Sequence, residues 1–208
     1  MSIQINDPEL KVMFEHALYF HGHLCPAMPI GLRAGNLARR ILGVERSKDK
    51  ELLLLAETGS GHAMACFLDG VMVATGCTYG KGNCKKLYYG KLAFTLLDQK
   101  GGKKVRVTVK PEFIMNALEN SPFIAQRRAG IPPQDIDKAL CEKVVNSVLS
   151  LPEEELFNVS KVIDYQLNKK SGTFEAHVCK ACGEAVYAKW LRVKDNEFYC
   201  IPCSNYED

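Results

Sequence analysis

Nine cysteines and five histidines stand in a chain of 208 residues, and they are unevenly spaced. Cys179-Lys180-Ala181-Cys182 and Cys200-Ile201-Pro202-Cys203 form two C-x-x-C pairs with seventeen residues between them. A two-residue spacer lets a tight turn aim both sulfurs at one ion, and two such knuckles complete a tetrahedron of thiolates. Gly183 follows the first pair, where a knuckle needs a left-handed residue. The segment 177–208 is too short to bury a stabilising core, so the zinc expected there is structural. Between the pairs, residues 185–199 read as a hairpin turning at Lys194–Glu197. The module is expected to be a treble clef or a ribbon, with at most a short final helix. From His177 onward there are four Lys/Arg against five Asp/Glu. That leaves no clustered positive face for phosphate and favours docking to protein.

A second concentration is His21-Gly22-His23-Leu24-Cys25-Pro26. Cys25 falls at the expected N-cap of a helix, where free backbone N–H groups and the helix dipole stabilise a thiolate. With two imidazoles beside it, the group suits a transition metal or a reactive thiol. Asp69 is the one charge in the apolar run 63–74, and a buried carboxylate needs a cation or a donor unless it sits at a solvent edge. Cys66, three residues earlier, shares its helix face. Cys77 follows Gly76 at once, and Gly80-Lys81-Gly82 offers backbone amides beside a lysine, a feature that suits anions. It lacks the spacing of a phosphate-binding Walker loop, and a connecting loop explains it equally well. Cys141, on a face with Val144 and Val148, reads as core; Cys84 has no partner at useful spacing.

The elements that must position these groups are legible in outline. Asp7-Pro8-Glu9 starts a helix, with Asp as N-cap and Pro at the first position. It stops before Pro26, which opens a second helix closing at Gly43. Residues 51–56 suit a buried strand, and 63–74 a helix buried on every side. Two strands, 87–97 and 104–109, are joined across Gln99-Lys100-Gly101-Gly102. Helices near 112–119 and 135–149 and a strand near 158–165 complete one domain. The expected organisation is a core over 1–168, a linker over 169–176 and a zinc module over 177–208. Strands and helices without regular alternation place the fold in the α+β class.

Apolar residues make up 47% and charged residues 25% of the chain, a balance that excludes wholesale disorder. The longest uncharged apolar-leaning run, 58–68, is far short of the roughly 20 residues of a membrane span. Nine cysteines, an odd number, and a start without a secretory pattern place the protein in the reducing cytoplasm. Between Lys81 and Lys110 there are nine Lys/Arg against one acid, Asp98. Nucleic-acid binding through this stretch, with Tyr79, Tyr88, Tyr89 and Phe94 nearby, is a third reading. It is disfavoured because strand alternation sends the lysines to opposite faces.

Phe20-His21-Gly22-His23-Leu24-Cys25-Pro26, the Cys66/Asp69 helix and Thr75-Gly76-Cys77-Thr78-Tyr79-Gly80-Lys81-Gly82-Asn83 together resemble the FmdE-like family, named for the FmdE component of formylmethanofuran dehydrogenase. The resemblance spans about residues 10–165. It departs from the family's pattern at Gly59-Ser60-Gly61-His62, which adds His62 as a further ligand candidate. The resemblance implies an intertwined α+β homodimer with a Cys/His site in a groove between protomers, and in some members a C-terminal zinc module. The formyl chemistry of that complex belongs to its tungsten- or molybdenum-containing components.

The preferred expectation is thus a dimeric metal-binding protein. Cys25 with His21 or His23, completed by Cys66 or Cys77, holds zinc, nickel or iron or forms a redox-active thiol site. Asp69 and Lys81 position or neutralise a small anionic ligand. If the protein is an enzyme, its chemistry is thiol- or metal-dependent. The alternative is a non-catalytic accessory subunit that docks a molybdenum or tungsten enzyme.

Overall fold

Asp7 accepts hydrogen bonds from the backbone N–H groups of Glu9 and Leu10 and starts α1 (Pro8–His21). Gly22, at φ 85°, ends it in a left-handed cap, its N–H returning to Leu18 O. The chain reverses through residues 22–26 and enters α2 (Ala27–Leu42), which Gly43 closes. Pro26 is the N-cap of α2, so Cys25 stands one position further out than the sequence suggested. β1 (Leu52–Ala56) leads into α3 (His62–Thr75), and Gly76 caps α3. The computed structural model describes residues 3–166 and 174–205. Residues 169–173 of the expected linker lie outside them.

The chain divides into two compact units, 1–167 and 168–208. In the first, β2 (Cys84–Lys86), β3 (Ala93–Asp98) and β4 (Lys103–Val109) follow α3. Then come α4 (Pro111–Asn120), α5 (Pro122–Arg128), α6 (Lys138–Ser150) and the single turn α7 (Glu153–Leu156). β5 (Phe157–Val159) and β6 (Ile163–Asp164) end the unit. The sheet order is β2-β1-β3-β4-β5, with β6 also on β4, and every pairing is antiparallel except β1 with β2. Of the expected strand 87–97 only residues 93–97, within β3, form a strand, and β2 precedes it. Tyr88 and Gly90 take positive φ, which breaks the extended backbone and leaves β2 free to pair with β1.

One face of this sheet is covered by α2 and α3 through a core that includes Leu54, Phe67, Val71, Phe94, Leu96, Val105 and Val107. The two helices touch backbone to backbone. A Cβ at Gly31 would lie 1.8 Å from Phe67 O, and one at Gly70 would lie 2.0 Å from Met28 O. Only glycine permits that approach. It brings the segment leading into α2 against the first half of α3, and so sets Cys25 beside Cys66. Arg33, nearly buried on α2, donates to Val148 O and to Leu151 O (2.6 Å), tying the end of α6 to the same helix.

The second unit consists of β7 (Ala176–Val178), β8 (Ala185–Tyr187), β9 (Leu191–Lys194), β10 (Glu197–Cys200) and α8 (Ile201–Ser204). β7 pairs with β8, and β9 with β10 across Asp195-Asn196, both at positive φ. The expected hairpin is therefore 191–200, while residues 185–187 belong to the hairpin that carries the first cysteine pair. Knuckle, hairpin and short helix follow in treble-clef order.

Candidate metal centres

Among the described residues, two groups bring four ligand atoms within 4.8 Å of one another: His21, His23, Cys25 and Cys66 in the first unit, and Cys179, Cys182, Cys200 and Cys203 in the second.

In the second unit Cys179 and Cys182 lie on the turn between β7 and β8, while Cys200 caps α8 and Cys203 lies within it. Cys182 Sγ and Cys200 Sγ are 3.9 Å apart. Zinc–sulfur bonds of about 2.3 Å at tetrahedral angles require sulfurs about 3.8 Å apart. Backbone N–H groups, first that of Cys182 and then that of Cys200 (3.3 Å), hold the Cys179 thiol down at about 6. Cys203 is pushed up to about 12 by the hydrogen bonds its thiol makes to Cys200 and then to Cys182. Thiols this close resist joint ionisation, and a dication removes that conflict.

In the first unit His21 is the last residue of α1, and Gly22 turns the chain so that His23 and Cys25 come back over it. The two imidazole rings are 4.3 Å apart, centroid to centroid. His21 Nδ1 lies 2.8 Å from Asp69 Oδ2, one turn along α3 from Cys66. That bond points Nε2 inward, 3.4 Å from Cys25 Sγ. A ligating histidine is commonly held in this way, its outer nitrogen on a carboxylate and its inner one free for a metal. Two imidazole nitrogens and two sulfurs around one ion need separations of about 3.3–3.8 Å, which this cluster approaches. Mixed imidazole and thiolate donors suit zinc, nickel or iron.

The same contacts set the protonation of these groups. The hydrogen bond to Asp69, then one to Cys66, raises His21 to about 9. Cys25 is lowered, first by its hydrogen bond with Cys66 and then, against the cost of burial, by the backbone N–H groups of Met28 and Ala27 at the start of α2. Cys66 is raised by the same bond to Cys25 and by burial. A helix start does therefore favour the Cys25 thiolate, although Pro26 occupies the cap. Asp69 touches the solvent edge and is also bonded, its side chain 31% exposed.

Two residues expected at this site are elsewhere. Cys77 lies eleven residues after Cys66, about 16 Å along the helix at 1.5 Å per residue. It is fully buried in the sheet core, and burial pushes its thiol up to about 11. Lys81 donates to Ser47 O (3.0 Å) and Lys48 O (3.3 Å), which fixes the loop to the segment before β1. Its charge satisfies carbonyls at the opposite end of α3 from the cluster. His62 opens α3, and only its backbone is described. Cys141 was read as core and is buried, yet its thiol also donates to Leu24 O (3.1 Å) and so steadies the loop between His23 and Cys25.

The basic stretch is partly engaged within the fold. Arg106 makes a double ion pair with Glu57 (2.6 and 2.7 Å), and Lys86 and Lys104 lie over the rings of Tyr88 and Tyr165. No helix among the described residues is long and apolar enough to cross a membrane.

Fold and clusters define a class: an α+β unit whose paired helices frame an imidazole–thiol cluster, together with a four-cysteine finger-like module. Residues 20–158 match the FmdE family, described as "FmdE, Molybdenum formylmethanofuran dehydrogenase operon". The chain belongs to that family. It is similar, at 36% identity over 95% of its length, to a probable S-adenosyl-L-methionine-binding protein of Archaeoglobus fulgidus. It spans 54% of that curated relative. Its fold is similar to that of a tungsten formylmethanofuran dehydrogenase FmdE-like protein from Syntrophus aciditrophicus. The TM-score is 0.61 at 20% identity, covering 99% of this chain and 97% of the other.

Proposed function

We propose that the protein binds two metal ions: a structural zinc at Cys179, Cys182, Cys200 and Cys203, and a second transition metal at His21, His23, Cys25 and Cys66. The observation that carries the second site is the line Asp69–His21–Cys25, with distances of 2.8 and 3.4 Å. A carboxylate that orients an imidazole toward a thiol on another segment is how a ligand set is built. A metal bound there supplies a Lewis acid, with zinc, nickel and iron the ions its donors favour. The residues fix the donors: Asp69 holds the His21 proton at Nδ1, α2 stabilises the Cys25 thiolate, and Cys141 steadies the loop. Any reaction at the site is metal- or thiol-dependent, on a small ligand reaching Cys25 and Cys66. Metal analysis tests this reading. Wild-type protein should carry two equivalents per chain, and Cys25→Ser and Cys66→Ser one. Two equivalents retained in both variants would remove the second site.

The family description favours a second role, as an accessory subunit beside a molybdenum or tungsten enzyme, with the finger module as the docking element. Copurification that is lost on Cys179→Ser would support it; its retention would refute a docking finger. Self-association is proposed as well. Phe20, Tyr79 and Tyr88 are each more than half exposed. Exposed aromatic side chains fit an interface. Light scattering that finds only monomers would refute it.

A further inference from the structure

Cys25 and Cys66 face two ways. One side meets the histidines; the other lines a cavity of about 370 Å³. That volume falls in the range of small-molecule sites, roughly 300–1,000 Å³. It holds about a dozen groups at roughly 30 Å³ each. Four helices wall it, through Ile30 of α2, Phe113 of α4, Phe123 of α5 and Val148 of α6. The interior is almost wholly apolar, so water gains little there and hydrocarbon gains much. The charged residues on its lining are Arg127 and Arg128, and no acid is among them. Arg127 donates to Ile131 O, which holds its side chain against the turn after α5, and Arg128 is exposed. An apolar chamber whose lining carries two arginines and no acid complements one kind of molecule: a hydrocarbon body ending in a planar anion.

We propose that this cavity binds an amphipathic organic acid of medium-chain or aryl size. Its carboxylate rests on Arg127 and Arg128, and its apolar body reaches toward Cys25 and Cys66. This names the substrate class of the core site and rests on the metal reading only for what the inner end meets. Cationic ligands are excluded by charge, and larger lipids by volume.

The test is calorimetric titration of full-length, cobalt-loaded protein with octanoate, 1-octanol and octylammonium. Octanoate should bind about tenfold more tightly than octanol, the increment of one charge-assisted hydrogen bond, and octylammonium more weakly than either. Arg127→Gln/Arg128→Gln should abolish the preference for the acid while keeping octanol binding. Arg128→Gln alone, at an exposed position, should reduce the preference without affecting folding. Ala117→Trp, which fills the cavity, should remove all binding. Equal binding of acid and alcohol, a preference that survives in the double variant, or no binding because a second copy fills the cavity would each overturn the proposal. The two readings fail separately. Cobalt in the core without octanoate binding sinks this inference alone; charge-selective octanoate binding without cobalt in the core sinks the metal reading alone.

Discussion

Gly31→Ala introduces one methyl group where α2 meets α3, and the structure sets the consequence. The new Cβ would lie 1.8 Å from Phe67 O and 2.7 Å from Phe67 C. Ordinary contact is about 3.4 Å, so the two helices must part by roughly 1.5 Å at that point. Overpacking costs about 1–3 kcal/mol, and a backbone obstacle, which cannot swing aside, puts this substitution at the upper end. Phe67 directly follows Cys66, so the same displacement pulls Cys66 from Cys25 and widens the ligand set. Gly35→Ala is the control, because its Cβ would meet Ala74 Cβ at 2.8 Å, a milder clash. Urea unfolding followed by circular dichroism gives the stability, and metal analysis gives the occupancy. Gly31→Ala should be the less stable of the two and should retain one metal equivalent, that of the finger. A Gly31→Ala protein as stable as the parent, with two equivalents, would refute the claim that this helix contact builds the site.

Asp69→Asn should weaken the core metal by about 10- to 100-fold in competition with a chelator, leaving the finger metal unchanged. Cys77→Ala should leave metal content at two equivalents while lowering stability by about 1 kcal/mol, the small-cavity cost of a buried thiol. Glu57, nearly buried and doubly bonded to Arg106, has its carboxyl held below the usual range, first by that hydrogen bond. A depressed folded value means the pair's stabilisation is complete above the unfolded carboxylate pKa of about 4.3 and is lost as pH falls through the folded value. Glu57→Gln should therefore destabilise at pH 7, by about 1–3 kcal/mol after allowance for the partly exposed arginine. The gap between variant and parent should narrow below pH 4 in urea titrations. A gap that stays constant with pH would show that the pair contributes no ionic stabilisation.

Capped and punctuated elements were readable from the sequence alone, because their signals are local. Asp7-Pro8, Gly43 and Gly76 mark helix ends that the structure places within a residue or two, whereas α1 already ends at His21, short of the stop expected before Pro26. The C-x-x-C pairs disclosed the finger cluster for the same reason, since their geometry is set within four residues. Long-range features were harder to read. The strand expected at 87–97 is apolar enough, but positive φ at Tyr88 and Gly90 interrupts it, and pairing of β2 with β1 depends on a partner thirty residues away. The helix at Pro122–Arg128 was missed, although Ser121-Pro122 is a start signal. In the core site, His21, His23, Cys25, Cys66 and Asp69 do meet, but nothing in the spacing identified Gly31 and Gly70 as the contacts that join them. Cys77 and Lys81 were grouped with the site because they follow the same helix. A helix separates its ends by its own length, and they fall at the far one.

The central claim is that imidazole and thiolate converge on one ion in the core, apart from the finger. X-ray absorption at the metal edge of full-length zinc-loaded protein tests it most directly, because sulfur and nitrogen scatter at distinguishable distances of about 2.3 and 2.0–2.1 Å. A four-sulfur finger and a two-nitrogen, two-sulfur core average to about three sulfurs and one nitrogen per zinc, at two zincs per chain. Cys25→Ser should move that average to four sulfurs at one zinc per chain. A wild-type spectrum with four sulfurs, no nitrogen and a single zinc per chain would contradict the account.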